Sequence, residues 1–205
     1  MKFILFAEGP TEHKAVPAFL KRWLDPRLSR PVGIDPVKFE GWRHLVKDAP
    51  IKARLHLKRE DVIAVAALLD LYGPDFYPPN KTTPAERAAW AKAHLEGKVN
   101  DPGFFQFFAV HEVEAWLLSD PAIFPQEVRR SLEGKTQNPE TINNQRPPSK
   151  WLNELYSNAT RRNYKKVTYG KDLFDRLDPE IAYHKCPHLK EMLDKMLDLA
   201  RHAGH

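Results

Sequence analysis

A chain of 205 residues with a formal net charge of +5 and a single cysteine, Cys186, has room for one domain with a real core. It excludes an intrachain disulfide framework or a zinc cluster built on thiolates. No apolar run reaches the roughly 18–20 residues of a transmembrane helix. The opening run Phe3-Ile4-Leu5-Phe6 is too short for a signal-peptide core and has no small-residue cleavage site after it, so no membrane partner and a cytoplasmic setting are expected.

Lys2 to Ala7 reads as a buried strand that ends at Glu8-Gly9-Pro10. Thr11 is placed to cap the next helix, which carries Val16, Phe19, Leu20, Trp23 and Leu24 at helical spacing. Val37 to Trp42 predicts a second strand, and an amphipathic helix follows from about Leu45 to Lys58, interrupted early by Pro50. Val62 to Leu69 is the most apolar stretch; without alternation it suits a central strand covered on both faces of a parallel sheet. That strand ends at Asp70-Leu71-Tyr72-Gly73-Pro74, and residues 74–84 read as a loop. Ala85 to Glu96 predicts a helix stopped by Gly97. Phe104 to Val110 predicts a fourth strand, ending at His111-Glu112-Val113-Glu114 before a helix begins.

Beyond Pro121 helices dominate, among them Ser149–Tyr156, Lys171–Leu177 and an amphipathic last helix opened by Pro187. The order β-α-β-α-β-α-β implies an α/β fold with a mostly parallel sheet flanked by helices. This core is expected over residues 1–120, with a helical, basic extension over residues 121–205 packed on the same domain.

From Arg129 to Lys171 the basic residues Arg129, Arg130, Lys135, Arg146, Lys150, Arg161, Arg162, Lys165, Lys166 and Lys171 face only Glu133, Glu140 and Glu154. Such a segment attracts a polyanion, nucleic acid first; a merely solvated basic surface is the alternative. Of the nucleic acids DNA is expected ahead of RNA, a choice on which the charge pattern is silent. Three strand ends are acidic: Glu8, Asp70 and the Glu112/Glu114 pair. Ligand sites of open parallel sheets lie beyond the carboxyl ends of the strands, so these groups are expected to converge. Crowded carboxylates repel, and Mg²⁺ or Mn²⁺ relieves that repulsion. Such an ion suits phosphodiester chemistry, with Glu12, one helical turn after Glu8, as an additional ligand. Individually, Glu8 could accept a hydrogen bond at a helix N-terminus and Asp70 could cap a turn. His111 could assist a metal or phosphate, or be structural. Glu112 and Glu114 share a face only if the strand continues through them; once a helix has begun, one is expected to point away.

Several motifs fail. Gly134-Lys135-Thr136 resembles the end of a P-loop, but Arg129 stands where glycine is needed. The His111-Glu112-Val113-Glu114-Ala115 run lacks a second histidine, Cys186 and His188 are too few ligands for zinc, and no nucleophile elbow is present.

Glu8-Gly9-Pro10-Thr11-Glu12 after a first strand, with an acidic end to the third, resembles the Toprim superfamily of topoisomerases, primases and OLD-type nucleases. More narrowly, the chain is similar to an uncharacterised bacterial Toprim-like family. The matching blocks are Glu8 to Glu12, Asp70-Leu71-Tyr72-Gly73, His111 to Ala115, Asn138 to Asn143, Pro148-Ser149-Lys150, Tyr164 to Val167 with Gly170, and Cys186-Pro187-His188. The resemblance implies a Toprim-like core and a Mg²⁺-dependent nuclease in anti-phage defence, with an ATPase partner. A non-catalytic adaptor is the second reading, and another phosphoryl-transfer enzyme the third. It further implies a lysine that stabilises the scissile phosphate, Lys166 first and Lys150 second. Arg161, Arg162 and Lys165 look like phosphate contacts, and Tyr164 either stacks on a base or packs into the extension. The pattern departs at Tyr72, where the superfamily usually has a second aspartate; Asp75 is the nearest substitute.

Overall fold

The computed structural model describes residues 1–132, 136–142 and 147–205, with backbone only at Val167 and Thr168. Lys135 and Arg146 of the basic segment, the Gly134-Lys135 pair and Asn143 fall outside the described residues.

Four parallel strands form the sheet: β1 (Lys2–Ala7), β2 (Gly33–Lys38), β3 (Val62–Asp70) and β4 (Phe104–Ala109), in the order β2-β1-β3-β4. The first half of the chain supplies α1 (Pro10–Leu24), α2 (Trp42–Leu57) and α3 (Pro84–Val99). The second half supplies α4 (Glu114–Leu117), α5 (Gln126–Leu132), α6 (Pro148–Thr160), α7 (Lys166–Arg176), α8 (Pro179–Lys185) and α9 (Pro187–His202). Among the described residues no helix is long and apolar enough to cross a membrane.

Alternation along the strands divides the core between the two faces of the sheet. Phe3, Leu5, Ala64, Ala66 and Leu68 pack with α1 and the C-terminal helices, where Phe19, Trp116, Phe174, Met192 and Met196 join one apolar cluster. Ile4, Phe6, Val65, Ala67 and Leu69 pack with Leu45, Ala49 and Ala53 of α2 and Ala91 and Leu95 of α3. The alanines of β3 let helices approach both faces closely. The chain runs from β1 outward to β2, then returns past β1 to β3. The switch point of the sheet therefore lies between β1 and β3, where Glu8 and Asp70 emerge.

Several local expectations are corrected. Thr11 does not cap α1: Gly9 holds that position, and the buried Thr11 Oγ1 donates instead to the Lys166 carbonyl, 3.3 Å away. The second strand is Gly33–Lys38, not Val37–Trp42. As an edge strand paired with β1 alone it tolerates Pro36, and Gly41, at φ 86°, turns the chain into α2. Pro50 does not interrupt α2, because the buried stripe Leu45-Ala49-Ala53 holds the turns on either side against the sheet. Gly97 does not stop α3; the buried Val99 draws the helix onward, and Asn100 ends it in the left-handed region at φ 49°. Helix α7 begins at Lys166 rather than Lys171.

Candidate carboxylate–lysine centre

At the carboxyl edge of the sheet, Glu8 follows β1, Glu12 lies in the first turn of α1, Asp70 ends β3, and Glu112 and Glu114 follow β4. Lys166, at the start of α7, reaches into this group. Its Nζ is 3.1 Å from Glu114 Oε2 and 3.9 Å from both Asp70 Oδ2 and Glu112 Oε1. The 3.1 Å pair is the shortest of the three and brings the ammonium against a fully buried carboxyl.

Both Glu112 and Glu114 therefore serve the centre even though the strand has ended, contrary to the expectation that one would point away. His111 explains this. Its backbone adopts φ 63°, a left-handed conformation rare outside glycine, and the resulting bend brings both carboxylates to Lys166. The remaining contacts fix the arms. Asp70 Oδ1 accepts from the Val113 N–H at 3.1 Å, and Glu112 Oε2 accepts from the Ser149 N–H at 2.8 Å, in the first turn of α6. Gly9 makes room for Glu12: a Cβ there would lie 2.4 Å from Glu12 Oε2.

The electrostatics are those of excess buried negative charge. Burial first, then the neighbouring Glu12, pushes Glu8 up to about 7, partly offset by the amides of Asp70 and Trp42. Glu114, fully buried, is raised to about 7 by burial, against the pull of Lys166. Asp70 is raised well above the usual carboxylate range by burial and by Glu12. Desolvation opposes the charge on Lys166, but the surrounding carboxylates outweigh it and hold the ammonium firmly protonated. One ammonium does not neutralise this set.

The donor chemistry fits a hard divalent cation. Carboxylate oxygens predominate, and Glu8 Oε2 and both Glu114 oxygens are buried without a hydrogen-bond partner. As they stand, no three Asp, Glu, His or Cys side chains among the described residues are drawn together tightly enough to hold a metal ion. Lys166 fills the space between Asp70, Glu112 and Glu114 instead.

Other predicted residues lie elsewhere. Lys150, in the first turn of α6, is exposed and outside the cluster, whereas the neighbouring Ser149 reaches it through its N–H. Arg161, Arg162 and Lys165 are exposed on the turn between α6 and α7. Tyr164 is only 8% exposed and packs against Tyr156, so the packed alternative, not a surface base-stacking ring, describes it. Its hydroxyl has no hydrogen-bond partner among the described residues, and burial and the nearby Glu114 raise its pKa. Tyr72 is 46% exposed, and Asp75 pairs with Arg43 on the surface rather than substituting in the centre. The sequence did not reveal that Thr11 and Gly9 position the centre, since their spacing also fits ordinary capping and turn roles.

Fold and site together define an α/β domain with a buried carboxylate–lysine centre at the switch point of a parallel sheet. The chain belongs to the family described as Domain of unknown function (DUF4276), whose model matches residues 7–197. No curated protein sequence matches it. Among solved structures it is similar to the C-terminal region of the Burkholderia pseudomallei OLD protein, at 19% identity and a TM-score of 0.50, over 97% of this chain and 98% of that one. It also matches the C-terminal region of the Xanthomonas campestris pv. campestris OLD protein, at 16% identity and a TM-score of 0.47, over 99% of this chain and 98% of that one. The first of these likenesses is one of fold.

Proposed function

We propose that this domain is a Toprim-type nuclease that cleaves nucleic-acid phosphodiesters with Mg²⁺ or Mn²⁺. The observation that carries the reading is the convergence of Asp70, Glu112 and Glu114 on Lys166 at the switch point, with Glu8 and Glu12 acting electrostatically on the same group, so that several buried carboxyls face one lysine. Glu8, Asp70 and Glu112 or Glu114 would hold the ion, and Glu12 would complete its shell or accept a proton. A bound divalent ion supplies Lewis acidity to the phosphate and lowers the pKa of water.

The chain's own contribution is positioning and charge. Lys166, mounted at the start of α7, would neutralise charge developing on the scissile phosphate. To do so it must exchange its carboxylate partners, Asp70, Glu112 and Glu114, for phosphate oxygens. Exposed Arg161, Arg162 and Lys165 would carry the flanking backbone, with Lys150 a second cation on the neighbouring helix. A companion ATPase and a role in anti-phage defence follow from the family resemblance.

A non-catalytic adaptor is the second reading, favoured by Tyr72 at the second-aspartate position and by a lysine already occupying the acidic centre. The test is a cleavage screen on plasmid, single-stranded DNA and RNA with Mg²⁺ or Mn²⁺, using wild type, Glu8→Gln and Asp70→Asn. The nuclease reading expects metal-dependent cleavage in wild type and at least a 10²-fold loss in each variant. Wild-type rates in both variants would sink it, and wild-type inactivity without measurable Mn²⁺ binding would favour the adaptor.

A further inference from the structure

Residues Asn138 to Thr141 of the Asn138–Asn143 block, and the Cys186-Pro187-His188 block, play no part in the acidic centre. They meet across a cleft of about 500 Å³ whose other wall is the first turn of α3 and the end of β4. Pro84, Val110 and Pro187 give it apolar, rigid sides; His111, Lys185 and His188 supply polar edges. This size and lining suit a small planar organic group.

The polar groups around the cleft are not equally available. Glu140 is committed: its carboxylate accepts from the N–H groups of His188 at 2.9 Å and Leu189 at 3.3 Å, capping α9. Lys185 Nζ donates to the Ser119 carbonyl at 2.8 Å. His111 differs. It is 6% exposed and lines the cleft, and its imidazole has no hydrogen-bond partner among the described residues. Its backbone is left-handed, at φ 63°, and it lines the cleft while Glu112, the next residue, turns to Lys166 and Ser149. The cleft and the acidic centre are thus lined by two consecutive residues, His111 and Glu112. A free anion is poorly served here, because Glu140 borders the cleft and its lysine is occupied. An imidazole that can donate to or accept from a ring edge, between apolar walls, suits a heterocycle.

We propose that this cleft seats one unpaired nucleobase of the bound strand, beside the phosphate held at the acidic centre, with His111 reading the edge of the base. The inference rests on the nuclease reading and narrows its substrate to strands that can present an extruded or single-stranded base.

The experiment uses single-stranded oligonucleotides carrying one 2-aminopurine, scanned along the strand, with the full chain bearing Asp70→Asn so that the strand stays intact. One position should change its emission on binding, and an abasic residue there should weaken binding about tenfold. Adding Ala85→Trp, which fills the cleft from an exposed helix position, or His111→Asn, which preserves left-handed backbone freedom, should abolish the emission change. An emission change that survives both substitutions, or the absence of any responsive position, overturns the proposal. Cleavage by the wild-type chain, measured in parallel, keeps the two readings apart. Cleavage without a responsive base removes only the cleft, whereas a responsive base lost in both cleft variants supports the cleft even where cleavage is absent.

Discussion

Glu114→Gln should make this protein more stable at alkaline pH and flatten its stability between pH 5 and 8. The folded chain holds the Glu114 proton until about pH 7, against an ordinary value of 4.5, because burial penalises the charged form more than Lys166 favours it. The unfolded chain releases that proton near 4.5. Stability from this group is therefore highest below 4.5, falls across the window, and is lower by about 3 kcal/mol above 7. Asp70 and Glu8 are raised by burial as well and push in the same direction. Glutamine mimics the protonated state at every pH, so the variant should recover roughly 3 kcal/mol at pH 8 and nothing at pH 4.5. Urea unfolding followed by tryptophan fluorescence, in EDTA, should show the variant's midpoint roughly 1–2 M higher at pH 8 for a typical denaturant slope. Parallel midpoints for wild type and variant from pH 5 to 8 would refute the account of buried, undercompensated charge.

Lys166→Met should destabilise the protein by about 3–5 kcal/mol at pH 8, where it strands ionised buried carboxylates, and by less at pH 5; thermal melts at the two pH values check this. In the same variant Mn²⁺ should raise the melting temperature more than in wild type, because the ion no longer competes with an ammonium. Gly9→Ala has room in φ, at −125°, but its Cβ would displace the Glu12 carboxylate; cleavage should fall about 10²-fold with a stability change under about 1 kcal/mol. Tyr164→Phe removes a buried hydroxyl that has no partner among the described residues and should be neutral or stabilising by up to about 1 kcal/mol in urea.

The parts of the fold legible in the sequence were those set by local pattern. An unbroken apolar run such as Val62 to Leu69 has few alternatives to a strand covered on both faces, and acidic residues at strand ends follow directly from where strands end. What pattern cannot encode is which member of a charged run folds inward. Lys165 and Lys166 are adjacent and chemically alike, yet one is exposed and the other sits among carboxylates, a difference set by where α7 begins. Tyr164 is buried for the same tertiary reason, against Tyr156 and beside Gly170. The position of the second strand is not marked in the sequence, because an edge strand carrying Asp35 and Pro36 lacks the apolar continuity that marks β1 and β3. The joint action of Glu112 and Glu114 hung on the backbone of His111, whose left-handed turn leaves no signature in residue type.

Helix α1 grips α7 at both ends. Thr11 bonds to the Lys166 carbonyl, and Arg22 donates to the carbonyls of Phe174, Asp175 and Leu177 at 2.7–3.0 Å. The lysine and Glu12 are consequently mounted on one frame, although more than 150 positions separate them along the chain. Exchanging the C-terminal helices with those of another family member, as a cassette, would deliver a lysine of the right identity at the wrong height unless α1 travelled with it.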